Sequence, residues 1–267
     1  MYRAGLIGTG SMGTSMLGAW IESGTLRPED ILVAERDAGK AEAARDLFGV
    51  AIGGVSEIGA ECEIVILAVK PQDSQPVLSE LTGVLKSSQT LMSIVAGLTV
   101  GAIRRQLGEG LSVVRIMPNM AARVRAAVSV FTVDAGAEEP DTIGIKNLLA
   151  AMGELEEVEE KWMDLATAMS GSGPAYYFYL TEALENACVA QGMPKEMARK
   201  LARETLWGAA RMIKETGIDP KELRRAVSSP GGTTLAALSE MEKAGFAEIV
   251  VKAVEAARRR AGELAQE

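Results

Sequence analysis

Through the first part of the chain, short apolar runs alternate with stretches of helical periodicity. Ala4 to Ile7, Ile31 to Ala34, Ile64 to Val69, Thr90 to Val95 and Val113 to Met117 read as strands. Met12 to Ser23, Ala38 to Phe48, Ser74 to Leu85 and Val100 to Leu107 read as helices between them. Strands that are apolar throughout, separated by helices, predict a parallel sheet covered on both faces, an α/β doubly wound fold. Ala127 to Val133 and Leu155 to Val158 are expected to extend that sheet at its edge.

From Lys161 onward the strand signal is gone. Pro174 to Gln191, Pro194 to Glu215, Pro220 to Val227, Thr233 to Ala244 and Phe246 to Ala265 carry helical periodicity. Proline opens three of them, where its missing amide proton costs nothing, and Gly192, Gly217 and Gly245 are placed to stop three. The expected organisation is an α/β domain over residues 1–160 and an all-α domain over 161–267. In the first helix of the second part, Tyr176, Tyr177, Tyr179, Leu180 and Leu184 spread over a wider arc than one core face needs. Burial against a second subunit is the expectation.

Composition narrows the chemistry. The 267 residues are 48% hydrophobic and 24% charged, as in a soluble globular protein. Runs such as Ile64 to Val69 are far too short to span a membrane, and the N-terminus, with Arg3 before a short strand, lacks the pattern of a secretory leader. A cytoplasmic protein with no membrane partner is expected. The net charge of −8 argues against a nucleic-acid surface. Cys62 and Cys188 are too few for a disulfide framework or a cysteine metal site, and no metal is expected. The chain contains no histidine, which excludes Ser-His-Asp and Cys-His catalysis and His-ligated zinc.

Gly8-Thr9-Gly10-Ser11-Met12-Gly13 follows the first strand and opens the first helix. Glycines there permit a tight turn, close approach to a pyrophosphate and close helix–strand packing, with the phosphates on helix N-terminal amides. Glu35 ends the next strand, where a carboxylate accepts from adenosine ribose hydroxyls and favours NADH; its neighbour Arg36 suits the 2′-phosphate of NADPH. The two point in opposite directions, so the expected cofactor is NADPH or NADH. Ala68-Val69-Lys70-Pro71, Ala96-Gly97 and Pro118-Asn119 each follow a strand on the side where the cofactor crevice lies. By position alone, Lys70 reads equally as a cofactor contact and as a solvated lysine.

Ser228-Ser229-Pro230-Gly231-Gly232-Thr233-Thr234 precedes a helix and gathers donors suited to a small carboxylate. Ser170-Gly171-Ser172-Gly173-Pro174-Ala175-Tyr176 opens the long helix upstream. Together with Ala68-Val69-Lys70-Pro71 and Met117-Pro118-Asn119, these segments resemble the pyrroline-5-carboxylate reductase family, from the first strand to about Glu263.

The resemblance implies a Rossmann domain followed by an all-α dimerisation domain, and NAD(P)H-dependent reduction of 1-pyrroline-5-carboxylate to L-proline, the last step of proline biosynthesis. The implied assembly is a homodimer that interleaves its helices, or a larger ring of dimers. By motif position, Thr234 would hydrogen-bond the imine nitrogen of the cyclic imino acid, and Ser229, Gly231, Gly232 and Thr233 would hold its carboxylate. Thr9, Ser11 and Met12 would contact the pyrophosphate; Val69, Lys70 and Ala96 would lie toward the nicotinamide. Glu160 matches a position near the substrate, although it sits in an acidic run that otherwise reads as solvated. The chain departs from the family in Glu35-Arg36, in Met120-Ala121 after Asn119, and in Arg123 and Arg125, where small residues are common. Two rival readings are a β-hydroxy acid dehydrogenase, against which no lysine follows Gly173 in the first turns of its helix, and a non-catalytic dinucleotide sensor.

Overall fold

The computed structural model describes residues 1–136, 138 and 140–264. It divides into two compact units, one formed by residues 1–172 with the segment from Ala256, the other by Gly173–Glu255.

In the first unit the chain runs β1 (Tyr2–Ile7), α1 (Ser11–Glu22), β2 (Ile31–Ala34), α2 (Ala38–Phe48), β3 (Ala51–Ile52), α3 (Val55–Glu61), β4 (Cys62–Leu67), α4 (Pro71–Leu81), β5 (Thr90–Ser93), α5 (Val100–Leu107), β6 (Ser112–Met117), β7 (Ala127–Asp134), α6 (Thr142–Ala150), β8 (Gly153–Glu157) and a short α7 (Met163–Ala166). One sheet of eight strands results, in the order β3-β2-β1-β4-β5-β6-β7-β8. From β1 the chain winds outward to β3, then returns to place β4 on the other flank of β1. That reversal is the topological switch point at which such folds bind ligands.

Alternate residues of each apolar strand feed opposite faces. Leu6, Ile64 and Ile66 pack with Met16, Trp20, Ile116 and Leu148 on one side. Ile7, Val65 and Leu67 pack with Ile58, Leu78 and Ile103 on the other. Both faces being covered, these runs are apolar nearly throughout, with Ser93 on β5 and Arg115 on β6 among the buried polar exceptions. Fully burying a side chain such as Ile66 contributes about 1.5–3 kcal/mol. Trp20, fully buried, donates its indole N–H to the Leu148 carbonyl at 2.8 Å, so its one polar atom is satisfied.

The predicted parallel core is found, and the two edge strands, whose direction the sequence leaves open, extend it. β7 runs antiparallel to β6, and β8 parallel to β7. Only a loop carrying the 3₁₀ turn Met120–Val124 joins β6 to β7, and without a crossover helix the chain reverses. The two-residue β3 and helices α3 and α6 were not legible, being short or carrying a central glycine, Gly59 or Gly144. Helix α4 begins at Pro71 rather than Ser74 and stops at Leu81 rather than Leu85, because Gly83 turns left-handed just beyond it. Periodicity changes at residue 160, but packing changes later: Met163 is fully buried against Met117 and Val130 of the sheet, so the next turns stay with the first unit.

The second unit holds α8 (Gly173–Ala190), α9 (Lys195–Thr216), α10 (Pro220–Ala226), α11 (Thr233–Lys243) and the start of α12 (Phe246–Leu264). The predicted last residue of α12, Ala265, lies outside the described residues. Gly192, Gly217 and Gly245 follow α8, α9 and α11 with positive φ, as helix-stopping glycines do. Burial within this unit is slight: Gly173 is the buried residue of α8 and Ala198 that of α9. Tyr177, Phe178, Tyr179 and Leu180 on α8, Trp207 on α9, and Ile249 to Val251 on α12 are exposed.

Candidate active site

Strand register assembles a first candidate site. Ile7 is paired with Ala34 on one side and Leu67 on the other, so the three strands end level. The next residues, Gly8, Glu35 and Ala68, therefore emerge together; the Gly8 N–H donates to the Ala34 carbonyl and the Ala68 N–H to the Ile7 carbonyl, each at 2.8 Å. Above them opens a cleft of about 470 Å³, walled by Gly8 and Gly10, Glu35 and Arg36, and Ala68, Val69 and Lys70.

Gly8 has φ +102°, and a Cβ there would lie 2.6 Å from the Ala68 carbonyl oxygen. A Cβ on buried Gly13 would strike the Gly8 carbonyl oxygen, so α1 approaches the loop as only glycine permits. No side chain caps α1 at Gly10. Its first amides stay available to an anion. A dinucleotide fits this cradle: room above the glycines, unfilled helix amides for a pyrophosphate, and an apolar wall at Val69.

Glu35 is more engaged than its position suggests. One carboxylate oxygen accepts the Thr9 N–H at 2.8 Å and the Thr9 hydroxyl at 2.9 Å, and the other accepts the Asp37 N–H at 3.0 Å. Burial pushes the Glu35 carboxyl up, but the Asp37 and Thr9 hydrogen bonds and the charge of Lys40 outweigh it and hold the group below its ordinary range. Arg36 donates to Asp73 on α4 at 3.1 Å, its own side chain 86% exposed.

The other sequence-predicted residues of this unit lie outside the lining of this cleft. Thr9 and Ser11 line a second hollow on the α2 side, with Gly10, Arg123 and Lys40. Met12 packs into the core beneath α1. Pro71 is the first residue of α4, just after Lys70, and Ala96 packs on Met117 and Val130. The Asn119 side-chain carbonyl accepts the Ala121 N–H at 3.1 Å, capping the turn after β6. The residues that sequence reasoning missed are Lys40, Gly53, Gly54, Asp73, Pro76 and Glu80, which complete the cleft walls. The signal for Lys40 is its spacing from Arg36, one helical turn on; Gly53 and Gly54 follow a strand too short to detect.

Glu160 belongs to the first unit. Its Oε1 accepts the Val100 N–H at the start of α5 at 2.8 Å and a 3.4 Å bond from Arg115, whose other nitrogen reaches Asp164 at 3.0 Å. Arg115 is 3% exposed and its Nε has no partner. The π-helical turn Thr167–Gly171 follows, with Gly171 close to the Met117 side chain.

A second candidate site lies in the other unit. Gly231 has φ +71°, and the Gly232 N–H donates to the Ser229 carbonyl at 2.9 Å, folding Ser229 to Gly232 into a turn. A Cβ on Gly232 would sit 2.5 Å from the Ser229 hydroxyl oxygen. Helix α11 then begins at Thr233 with no side chain capping it. The turn thus ends on unfilled amides flanked by the Ser229, Thr233 and Thr234 hydroxyls, a donor set for a carboxylate. Among the described residues no cluster of metal-ligating side chains occurs, and no helix is long and apolar enough to cross a membrane.

Comparison with known proteins gives the same two parts. Residues 160–264 match the family model for pyrroline-5-carboxylate reductase dimerisation, and residues 3–97 match one described as NADP oxidoreductase, coenzyme F420-dependent. The pyrroline-5-carboxylate reductase of Arabidopsis thaliana is 38% identical over 99% of this chain and 96% of its own length. That of Escherichia coli is 37% identical over 94% of both. Among solved structures, a pyrroline-5-carboxylate reductase from Coxiella burnetii superposes with a TM-score of 0.90 at 32% identity, covering 98% of each chain. The Plasmodium falciparum pyrroline carboxylate reductase with NADP bound gives 0.88 at 27% identity, covering 99% of this chain and 98% of that one. With relatives this similar along its whole length, the chain belongs to the pyrroline-5-carboxylate reductase family.

Proposed function

We propose that this chain reduces 1-pyrroline-5-carboxylate to L-proline with NADPH or NADH as reductant, closing proline biosynthesis in the cytoplasm. When bound, the reduced dinucleotide supplies a hydride for the C=N carbon. The protein's own work is to hold two reactants in register and to stabilise charge. Residues 1–160 serve as the dinucleotide-binding domain and 161–267 as the dimerisation and substrate domain. Gly8, Gly10 and Gly13, with Thr9, Ser11 and Met12, form the pyrophosphate loop; Ala68, Val69, Lys70, Pro71, Ala96 and Asn119 form the nicotinamide side; Glu35 and Arg36 border the adenosine.

Ser229, Gly231, Gly232 and Thr233 hold the substrate carboxylate on the first turn of α11, and the Thr234 hydroxyl donates to the ring nitrogen. A threonine hydroxyl is too weak an acid to give up its proton unaided at neutral pH, and the chain has no histidine. The amine proton therefore comes from solvent or arrives on an iminium substrate, and Thr234 orients the nitrogen. Glu160, by its motif position, serves near the substrate. The assembly is a homodimer, or a ring of dimers, which supplies the burial that α8, α9 and α12 lack within one chain.

The observation that supports this reading most directly is the Ser229–Thr234 turn, which leads into an uncapped helix in a chain that also carries a dinucleotide cleft at its switch point. Oxidation of NADH and NADPH, followed at neutral pH with 1-pyrroline-5-carboxylate, tests it. Turnover is the expected result. A folded protein that binds a dinucleotide yet turns over neither pair would sink it.

A further inference from the structure

The turn proposed to hold the substrate carboxylate offers no side-chain cation of its own. Ser229, Thr233 and Thr234 are neutral, and the rest of the donor set is backbone amide. The chain as a whole carries a net charge of −8, which disfavours an approaching anion. Any cation fixed near the turn therefore weighs on the binding of a carboxylate.

Two such cations stand just before it in the chain. Arg224 and Arg225 lie in the last turn of α10. The Ser228 hydroxyl donates to the Arg224 carbonyl at 2.6 Å, and the Ser228 N–H to the Arg225 carbonyl at 3.1 Å. Ser229 comes next, and its own carbonyl accepts the Gly232 N–H at 2.9 Å. The backbone that carries the two arginines is thus hydrogen-bonded into the turn it leads to.

Their side chains are left free to act on a ligand. By contrast Arg199, Arg211 and Lys243 in the same unit each pair with a glutamate one helical turn away, at 2.9, 2.6 and 2.7 Å. Arg224 and Arg225 make no side-chain hydrogen bond or ion pair among the described residues. Instead they line a hollow of about 390 Å³ formed by α10 and α11, together with Ser228 and Glu242. Two cations there face one acid. A paired cation has its field cancelled by its partner, whereas an unpaired one keeps it.

We propose that Arg224 and Arg225 are recognition residues for the anionic substrate, placing positive potential on the Ser229–Thr234 turn and so setting its affinity for a small carboxylate. They act through space rather than by contact. Lysine can then replace arginine, and added salt weakens the effect, since exposed charges are screened beyond about 10 Å at 0.1 M ionic strength. This rests on the reductase reading, because it assigns two more residues to the substrate of that site.

Initial rates are measured against 1-pyrroline-5-carboxylate with saturating dinucleotide, at low and at high potassium chloride, on the parent and on double variants. Arg224→Gln with Arg225→Gln removes both charges, Arg224→Glu with Arg225→Glu reverses them, and Arg224→Lys with Arg225→Lys keeps them. A unit charge about 8 Å from a carboxylate in water changes its binding about twofold. KM at low salt should therefore rise about fourfold in the glutamine variant and about tenfold or more in the glutamate variant, with kcat within about twofold of the parent. The lysine variant should keep the parent's KM, and the differences should shrink to within about twofold in ~0.5 M salt. Circular dichroism and thermal unfolding check that each variant is folded; should the glutamate variant misfold, the glutamine and lysine variants carry the comparison. A KM unmoved when the charges are removed, raised as much in the lysine variant, or raised equally at both salt concentrations overturns the recognition role and leaves the reductase reading intact. A parent that turns over no substrate with either dinucleotide overturns both.

Discussion

Glu35 reaches back across the ends of β1 and β2 to accept both the amide and the hydroxyl of Thr9 through a single carboxylate oxygen, at 2.8 and 2.9 Å. The bond is made from the acid at the end of one strand to the second residue of the loop after another. It fixes the glycine-rich loop between β1 and α1, and the charged form of Glu35 makes it strongest.

A pH dependence of stability follows. Burial raises the Glu35 carboxyl, the Asp37 and Thr9 hydrogen bonds and the charge of Lys40 lower it by more, and the net is a folded-state pKa below the ordinary 4.5. A depressed carboxylate stabilises the fold fully above its unfolded pKa and loses that contribution as pH falls through the folded value. Glu35→Gln should therefore be less stable than the parent in urea at pH 7, and the gap should close as pH drops below about 4.5. A gap that persists unchanged at low pH would separate the Thr9 contact from the charge of Glu35.

The legible parts of this fold are those where one local pattern sufficed. Ala38–Phe48 and Val100–Leu107 are bounded as their periodicity predicts, since a capping Asp37 or Thr99 agrees with the apolar spacing. The reversal of β7 was not legible, because strand direction depends on what joins β6 to β7 and no strand pattern encodes it. At the cleft, the phosphate-loop glycines could be read from spacing, but Lys40, Asp73 and Glu80 reach the site only through the packing of α2 and α4 on the sheet. The contact of Glu35 with Thr9 was not legible for a similar reason: it is made largely to a backbone amide of another loop, and backbone donors leave no mark in a sequence.

Arg115 offers a stability test. It is 3% exposed on β6 and holds Glu160 and Asp164, which are themselves 38% and 36% exposed. Removing one member of a buried pair costs about 3–5 kcal/mol, and the partial exposure of both acids places Arg115→Leu near the lower end. Thermal unfolding should shift down by about 6–12 °C for a chain of this size. Glu160→Gln, which keeps an acceptor for the Val100 N–H, should lose less.

Burial pushes the Cys62 thiol up to about 12, and the side chain lies beneath Gly5 in the sheet core. A thiol in that state is almost wholly protonated at pH 8 and closed to reagents. Ellman's reagent should leave Cys62 unmodified in the native protein and react with it only in denaturant. Mass spectrometry of the labelled peptides distinguishes it from Cys188.

The exposed face of α8 and α9 predicts an assembly mutant. Tyr179 is 74% exposed and Trp207 62%, in helices with almost no buried residues of their own. If a second copy covers them, Tyr179→Glu and Trp207→Glu place unpaired charges in an apolar interface and cost several kcal/mol of association each. Light scattering after size exclusion should show the parent as a dimer or larger and the variants shifted toward monomer. Parent protein that runs as a monomer at micromolar concentration would remove the homo-oligomer from the proposal.

Thr234 carries the chemistry in the proposal, and its hydroxyl can be removed without touching the core, since the residue lies partly exposed on the first turn of α11. A hydrogen bond to a charged or developing-charge partner is worth about 1.5–3 kcal/mol, so Thr234→Ala should lower kcat by roughly tenfold to a hundredfold. The melting temperature and dinucleotide affinity should stay near the parent's, because the turn is shaped by Ser229, Gly231 and Gly232. Thr234→Ser restores the hydroxyl and should recover most of the rate, whereas Thr234→Val keeps the shape and should not. A rise in KM alone, with kcat unchanged in the alanine variant, would assign Thr234 to uniform binding rather than to the imine nitrogen at the transition state. Unchanged kinetics in all three variants would move the ring-nitrogen contact to another residue.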